Sequence, residues 1–405
     1  MGTPPPNAGF GFSSSASTPP AQSGSDVDDS LLSSPVSASL PSDDVARSGS
    51  SARKYSWRNP RPRGLSRASR RDSAADASSP ASQFLQLFSA SSATPPRPDD
   101  EGQLVNDHVL GRTVGYGGFS RVKEAHTIED GAEVTRAVKV VLKGQAGADS
   151  ILADLDREIS IWRGLSSCQH PHLLPLLAVH ETDYATYCFS PYANARTLFD
   201  AVVRGRTDSP VPLPRRLRWV YQLCCALRCL HEDLALVHRD VKPENCLLQT
   251  PPGADLADAD LMLCDFGMSR FVQRCSPTAP DAAAATQDEL ELTGSIPYLA
   301  PEIVQGVGYR NYVYSAKQDI WSLGVTLYFV VAEDLPFRHA FLPNLQHMIA
   351  KGAWDPAPLH ERVADAGPLV DLLEHCLDLD PDARWDICAV LDHPLFDDFR
   401  TDVLD

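Results

Sequence analysis

The sequence predicts an α+β protein preceded by a long tail, and three observations carry that reading. Residues 1–100 are rich in Ser, Pro, Ala and Gly, with sparse aromatics and no persistent period, so a disordered tail is expected there. From Leu104 onward, short β-type runs alternate with glycine-rich turns. Further along, helical spacing of apolar residues takes over, as in 215–231.

Composition limits what such a chain does. Its 405 residues, 43% hydrophobic, supply a sizeable core, yet 33 prolines are too many for a chain folded throughout. A net charge of −17 argues against a general nucleic-acid binder, which works by neutralising phosphates. The best apolar run, 320–332, is too short to cross a bilayer, and the N-terminus lacks a basic-then-apolar leader pattern. Ten cysteines lie scattered without paired metal-ligand spacing, as in a reduced cytoplasmic or nuclear protein. Cys224, Cys225 and Cys229 fall on a helical stretch and read as core filler.

Within the tail, 53–71 is a basic island in and beside which Ser56, Ser66 and Ser73 each stand three residues after an arginine. Phosphate there would cancel the island's charge and create an adaptor site, while a solvated charge cluster is the plainer reading. A nuclear-import patch is a weaker third, because Lys54 is the island's one lysine. Phe84, Leu85, Leu87 and Phe88 form an apolar knot able to dock as a single helical turn.

Folded sequence opens with a strand at 109–114, the stretch Gly115-Tyr116-Gly117-Gly118-Phe119-Ser120, and a second strand at 121–125. Glycines between strands let backbone N–H groups approach phosphate oxygens, although a tight turn has the same signature. The apolar strand 136–142 contains Ala137 and Lys139. A lysine buried in a strand is costly unless paired. A helix at 149–165, with Ile151, Leu155, Ile159 and Trp162 at helical spacing, carries Glu158 beside its inward face as the partner. The decisive stretch is His238-Arg239-Asp240-Val241-Lys242-Pro243-Glu244-Asn245, followed by Asp265-Phe266-Gly267. It packs carboxylates, an ammonium and an amide as phosphoryl transfer requires. Asp240 suits orienting a hydroxyl, Lys242 faces the moving phosphoryl, and Asn245 and Asp265 supply oxygens for magnesium.

With these parts in order, the chain resembles a eukaryotic protein kinase, over about 104–399. The resemblance implies a bilobal fold: a tail at 1–103, a small β-rich N-lobe with one helix at about 104–192, and a mainly helical C-lobe at about 193–399. It implies that Val114, Gly115, Tyr116, Gly117, Gly118, Phe119 and Ser120 cover ATP, with Ser120 where the family has its third glycine. Val122 and Ala137 would line the adenine site, and Lys139, held by Glu158, would grip the phosphates. The hinge runs from Tyr187 to Ala193; Ser190 is the gatekeeper, Pro191 offers its carbonyl and Ala193 its N–H. Glu244 would accept a substrate arginine, although Thr197 stands where a second acid is common.

Lys242 points to serine/threonine rather than tyrosine chemistry, and Arg239 to regulation by phosphate on the segment 265–302. Thr293 is the first choice of phosphoacceptor, then Thr286, Ser276 and Thr278; Ser295 is expected to bond Asp240 and Lys242 in the substrate-docking turn. Asp319 would hold the catalytic loop, and Arg384 would pair with Glu302. The implied protein is an ATP- and magnesium-dependent serine/threonine kinase of the calmodulin-dependent-like group, cytoplasmic and also nuclear, acting as a monomer. Its expected partners are protein substrates, an upstream kinase and a phospho-dependent adaptor at the tail, without nucleic acid or a membrane span. The competing class is a pseudokinase scaffold, disfavoured because Lys139, Asp240 and Asp265 are all present. In a third reading, the tail is the main functional unit and the domain serves to localise it.

Overall fold

The computed structural model describes residues 97–143, 148–204, 210–272, 296–306 and 315–403. Among these, six strands form one antiparallel sheet in the order β1-β2-β3-β4-β6-β5. They are β1 (Leu104–Val105), β2 (His108–Tyr116), β3 (Ser120–Glu129), β4 (Ala132–Leu142), β5 (Ala178–Glu181) and β6 (Ala185–Pro191). Helix α1 (Ala148–Ser167) connects β4 to β5 and completes the N-lobe.

Alternation along these strands sorts the side chains. On the outer face Val105, Leu110, Ala125, Val138, Val140, Tyr187 and Phe189 make a small core of their own. On the other face, register pairs Val122 with Lys139, Ala137 with Ser190 and Lys139 with Cys188, so these five residues line one surface. The glycine stretch is the β2–β3 hairpin. Register shifts around Thr113 twist it, and Gly117 N–H donates to Ser120 O at 2.9 Å.

The C-lobe begins with α2 (Leu198–Arg204) and α3 (Leu213–Arg228), whose end widens into a π turn over Cys229–Asp233. Short strands follow: β7 (Leu236–Val237), β8 (Cys246–Gln249), β9 (Asp260–Leu263) and β10 (Arg270–Phe271), pairing β8 with β9 and β7 with β10. Helices α4 (Pro301–Val304), α5 (Lys317–Ala332), α6 (Leu342–Lys351), α7 (Ala357–Arg362), α8 (Gly367–Cys376) and α9 (Ile387–Leu391) complete it. Helix α5 is buried on every side from Gln318 to Ala332, which is why its sequence is apolar almost throughout. Gly324 admits α8 against it, since a Cβ there would lie 2.8 Å from that of Cys376. The helix ends on Glu333 in the left-handed conformation (φ 57°), its carboxylate held by Arg216 at 3.0 Å and Arg362 at 3.2 Å. No helix among the described residues is long and apolar enough to span a membrane.

Two local readings shift. The strand expected at 121–125 runs the full length of Ser120–Glu129 because it pairs on both sides. Residues 97–103, whose composition reads as tail, fold back onto the sheet: Gly102 N–H donates to Leu110 O at 2.8 Å, and Tyr187 Oη donates to Pro98 O at 2.8 Å. Composition cannot report such contacts, because they are made to residues distant in sequence.

Candidate active site

Lys139 projects from β4 toward α1, where its Nζ lies 2.6 Å from Glu158 Oε1 and 3.6 Å from Asp265 Oδ1. Burial alone would lower the Lys139 pKa, but the carboxylates of Glu158 and then Asp265 outweigh it and hold the ammonium above the ordinary lysine range. The reciprocal holds at Asp265. Desolvation opposes its charge, yet Lys139 and then His238 keep the carboxyl below the usual range.

Asp265 has a positive φ of 68°, and Gly267 lies close behind it: a Cβ there would meet Glu158 Oε2 at 3.4 Å. Phe266 anchors this turn. Fully buried, it packs on Trp162 of α1 (centroids 6.4 Å apart) and on His238 (5.5 Å). Trp162 is itself fixed, its indole N–H donating to Leu174 O at 2.7 Å, and Leu174 N–H in turn bonds Leu263 O at 2.9 Å. Helix α1 and the end of β9 are thus tied together at both the charged and the apolar contact.

The loop after β7 places Asp240. Lys242 Nζ donates to Asp240 Oδ2 at 2.6 Å; Asn245 Nδ2 donates to the same oxygen at 2.9 Å and to Asp240 O at 2.8 Å. The amide protons of Asn245 are therefore turned to the loop, leaving its carbonyl oxygen as the group suited to a cation. Beneath, Asp319 of α5 accepts from His238 N–H at 2.7 Å, Arg239 N–H at 2.8 Å and His231 Nε2–H at 2.9 Å. Complete burial works against this carboxylate, but the hydrogen bond from His231, and then the charge of that imidazole, hold its pKa below the usual carboxylate range. Arg239 sits at φ 71°, a costly conformation for a non-glycine residue that these bonds maintain. Its guanidinium donates to Met268 O at 3.2 Å. Glu244 is mostly buried, its Oε2 lacks a hydrogen-bond partner among the described residues, and desolvation raises its pKa.

At the mouth of the cleft, Val122 stands between Gly115 and Lys139 in register. Val114, Tyr116 and Phe119 are exposed along the hairpin, and Gly118 has open space around it. A Cβ on Gly117 would fall 2.5 Å from Ser120 Oγ, so a side chain there would force the Ser120 hydroxyl to turn away. Ser190 is buried at the end of β6, while Pro191 and Ala193 are half-buried beside it. Thr197 is not a substrate-facing acid but caps α2, accepting from Asp200 N–H at 3.1 Å. Arg384 is completely buried and binds Glu302 through two nitrogens at 2.9 and 3.0 Å. Ser276, Thr278, Thr286, Thr293 and Ser295 lie outside the described residues.

Sequence reasoning missed two groups. One is the lattice in which Arg112 holds Glu124 bidentately, at 2.8 to 3.0 Å, and Tyr192 Oη donates to Glu124 at 2.9 Å, joining hairpin to hinge. Alternate placement of Arg112 and Glu124 on neighbouring strands was readable, but their register was not. The other is Cys188, which shares the surface of Lys139 and whose thiol pKa is pushed up to about 12 by burial and then by Glu158.

A lysine thus sits between a helix carboxylate and a turn carboxylate, and a loop carboxylate is paired with lysine and asparagine. The chain belongs to the protein kinase family: its residues 108–396 match the family described as protein kinase domain. Mouse serine/threonine-protein kinase DCLK3 is 32% identical over 305 residues, covering 74% of this chain and 34% of that protein. The CBL-interacting serine/threonine-protein kinase 20 of Arabidopsis thaliana is 30% identical over 300 residues, covering 72% and 59%. Human DCLK3 is 31% identical over 290 residues, covering 71% and 40%. This chain therefore matches between 34% and 59% of the length of these relatives.

Proposed function

We propose that this protein transfers the γ-phosphoryl group of ATP to serine or threonine hydroxyls of protein substrates. The observation that carries the reading is Lys139, poised 2.6 Å from Glu158 and 3.6 Å from Asp265. In this reading Lys139, already paired with a carboxylate, is the cation that meets the phosphates. In this reading the hairpin 115–120 covers the phosphates with backbone N–H groups, Val122 and Ala137 face the adenine, and Pro191 O and Ala193 N–H read its edge. The donor set fits magnesium: the Asp265 carboxylate and the Asn245 amide oxygen are hard ligands. When bound, magnesium neutralises phosphate charge.

Asp240 accepts the hydrogen bond of the attacking hydroxyl and aims its oxygen in line with the β–γ bridging bond. As the new phosphorus–oxygen bond forms and the bridging bond breaks, Asp240 takes the proton and ADP departs. Lys242 stabilises the transferred group and favours a serine or threonine acceptor. Glu244 is the acid for a basic residue ahead of the acceptor. We place the protein in the calmodulin-dependent-like group, acting in cytoplasm and nucleus, with an upstream kinase modifying Thr293, Thr286 or Ser276. Ser295 would dock substrate, and phosphate on the tail would recruit an adaptor.

The test is incubation of the full chain, and of Asp240→Asn, with labelled ATP, magnesium and arrayed serine, threonine and tyrosine peptides. Transfer to serine and threonine peptides is expected from the wild type, falling by about 10²–10⁴ in the variant, the usual contribution of a general base. Equal turnover by both proteins would refute the role of Asp240. ATP binding without transfer, even after treatment with an activating kinase, would support the scaffold instead.

A further inference from the structure

The residues that precede the family's domain do more than lead into it. Residues 97–100 close a turn, with Asp100 N–H donating to Arg97 O at 3.1 Å and Arg97 N–H to Asp100 Oδ2 at 2.7 Å. That turn points Asp99 inward against the outer face of the sheet, where it is 3% exposed. Its Oδ2 accepts from Arg121, while its Oδ1 is buried without a hydrogen-bond partner among the described residues. Tyr187, its pKa raised by burial and then by Asp99, donates to the neighbouring Pro98 O at 2.8 Å. A carboxylate with one orphan oxygen is an expensive way to fasten a strand edge, and an apolar residue would cover this face at lower cost.

What the carboxylate reaches explains its use. Arg121 stands opposite Tyr116, the last rung of the β2–β3 ladder before the phosphate-covering turn 117–119. It also lies between Ser120 and Val122, the residues facing the triphosphate and the adenine in the proposed reading. We propose that Asp99 is a positioning residue for nucleotide binding: through Arg121 it fixes the base of the glycine hairpin, and so sets the affinity for ATP. The strap precedes residue 108, where the matched domain begins. The inference rests on the reading of the cleft as an ATP site.

Steady-state kinetics of the full chain with Asp99→Asn, Arg121→Gln and the double variant test it, alongside hydrogen exchange and thermal unfolding. Each single variant is expected to raise KM for ATP about fivefold, the factor for losing one charge-assisted hydrogen bond of about 1 kcal/mol at a half-exposed arginine. The double variant should raise it no further, because both act through one contact. The values of kcat and of KM for the peptide should stay unchanged, and amides of 115–121 should exchange faster while those of β4 do not. An unchanged KM for ATP with unchanged exchange would overturn the proposal. So would additive effects, or a fall in kcat that merely follows a lower melting temperature. Should the wild type transfer no phosphate, the kinase reading fails, and exchange at 115–121 in Asp99→Asn then decides the strap by itself.

Discussion

Replacing Asp319 by asparagine changes almost no volume, yet it should undo the support of the catalytic loop. The carboxylate offers acceptors to three donors at once: His238 N–H, Arg239 N–H and His231 Nε2–H, at 2.7, 2.8 and 2.9 Å. Asparagine brings a single acceptor oxygen and two N–H donors, so at least one backbone N–H must face another donor in a fully buried site. Hydrogen bonds to a charged acceptor contribute about 1.5–3 kcal/mol each, and an orphaned buried donor costs about 1–3 kcal/mol. Losing one such bond and stranding its donor amounts to about 3–5 kcal/mol, in line with breaking a buried charged network. For a domain of this size that lowers the melting temperature by roughly 5–8 °C. Activity should fall further than stability. Arg239 at φ 71° and Asp240 beside it are held by these bonds, and release lets the loop relax toward ordinary backbone angles. Differential scanning fluorimetry and single-turnover phosphotransfer, measured well below the melting point, would check both parts. A variant that loses under about 1 kcal/mol and keeps wild-type turnover would refute the claim that Asp319 positions the loop.

Two further outcomes follow from buried groups elsewhere. Arg384→Ala removes a bidentate partner of Glu302, donors to Asp378 O and Lys317 O, and a guanidinium 5.2 Å over Trp321. It should cost about 3–5 kcal/mol in urea unfolding, and a loss below about 1 kcal/mol would contradict the buried pairing. His170 is driven down to about 4, chiefly by burial and then by His172 and Arg228. Its folded pKa lies below the unfolded value of about 6.5, so the unfolded chain binds more protons between those limits. The stability it carries is complete above pH of about 6.5 and drains as pH falls toward 4. His170→Gln should flatten the wild type's decline in unfolding midpoint across that window; an identical decline in both proteins would refute the assignment.

Much of the site was legible because its chemistry is local. Asp240, Lys242 and Asn245 lie within six positions, and the structure brings them onto one carboxylate oxygen. The pairing of Lys139 with Glu158 was readable for a different reason: a lysine in an apolar strand demands a partner, and the next helix carries a carboxylate beside its inward face. Arg112, Glu124 and Tyr192 carried no comparable signal, because the first two lie on strands whose register is not written locally and Tyr192 follows the end of β6.

The sequence by itself determined the α+β class and the order of its main elements, and it singled out the residues proposed to act on phosphate, because periodicity and local charge are written in neighbouring positions. Only tertiary structure decided which neighbours distant residues meet. Strand register put Cys188 opposite Lys139 and a turn at 97–100 buried Asp99 against Arg121, while the hold of Asp319 on the loop, expected from the family resemblance, took its particular donors, His238 N–H and Arg239 N–H, from the placement of helix α5. Each of those contacts closes a loop of 22 to 81 residues or depends on a register shared by two strands. Such contacts are settled by the packing of the whole domain and leave no local pattern to read.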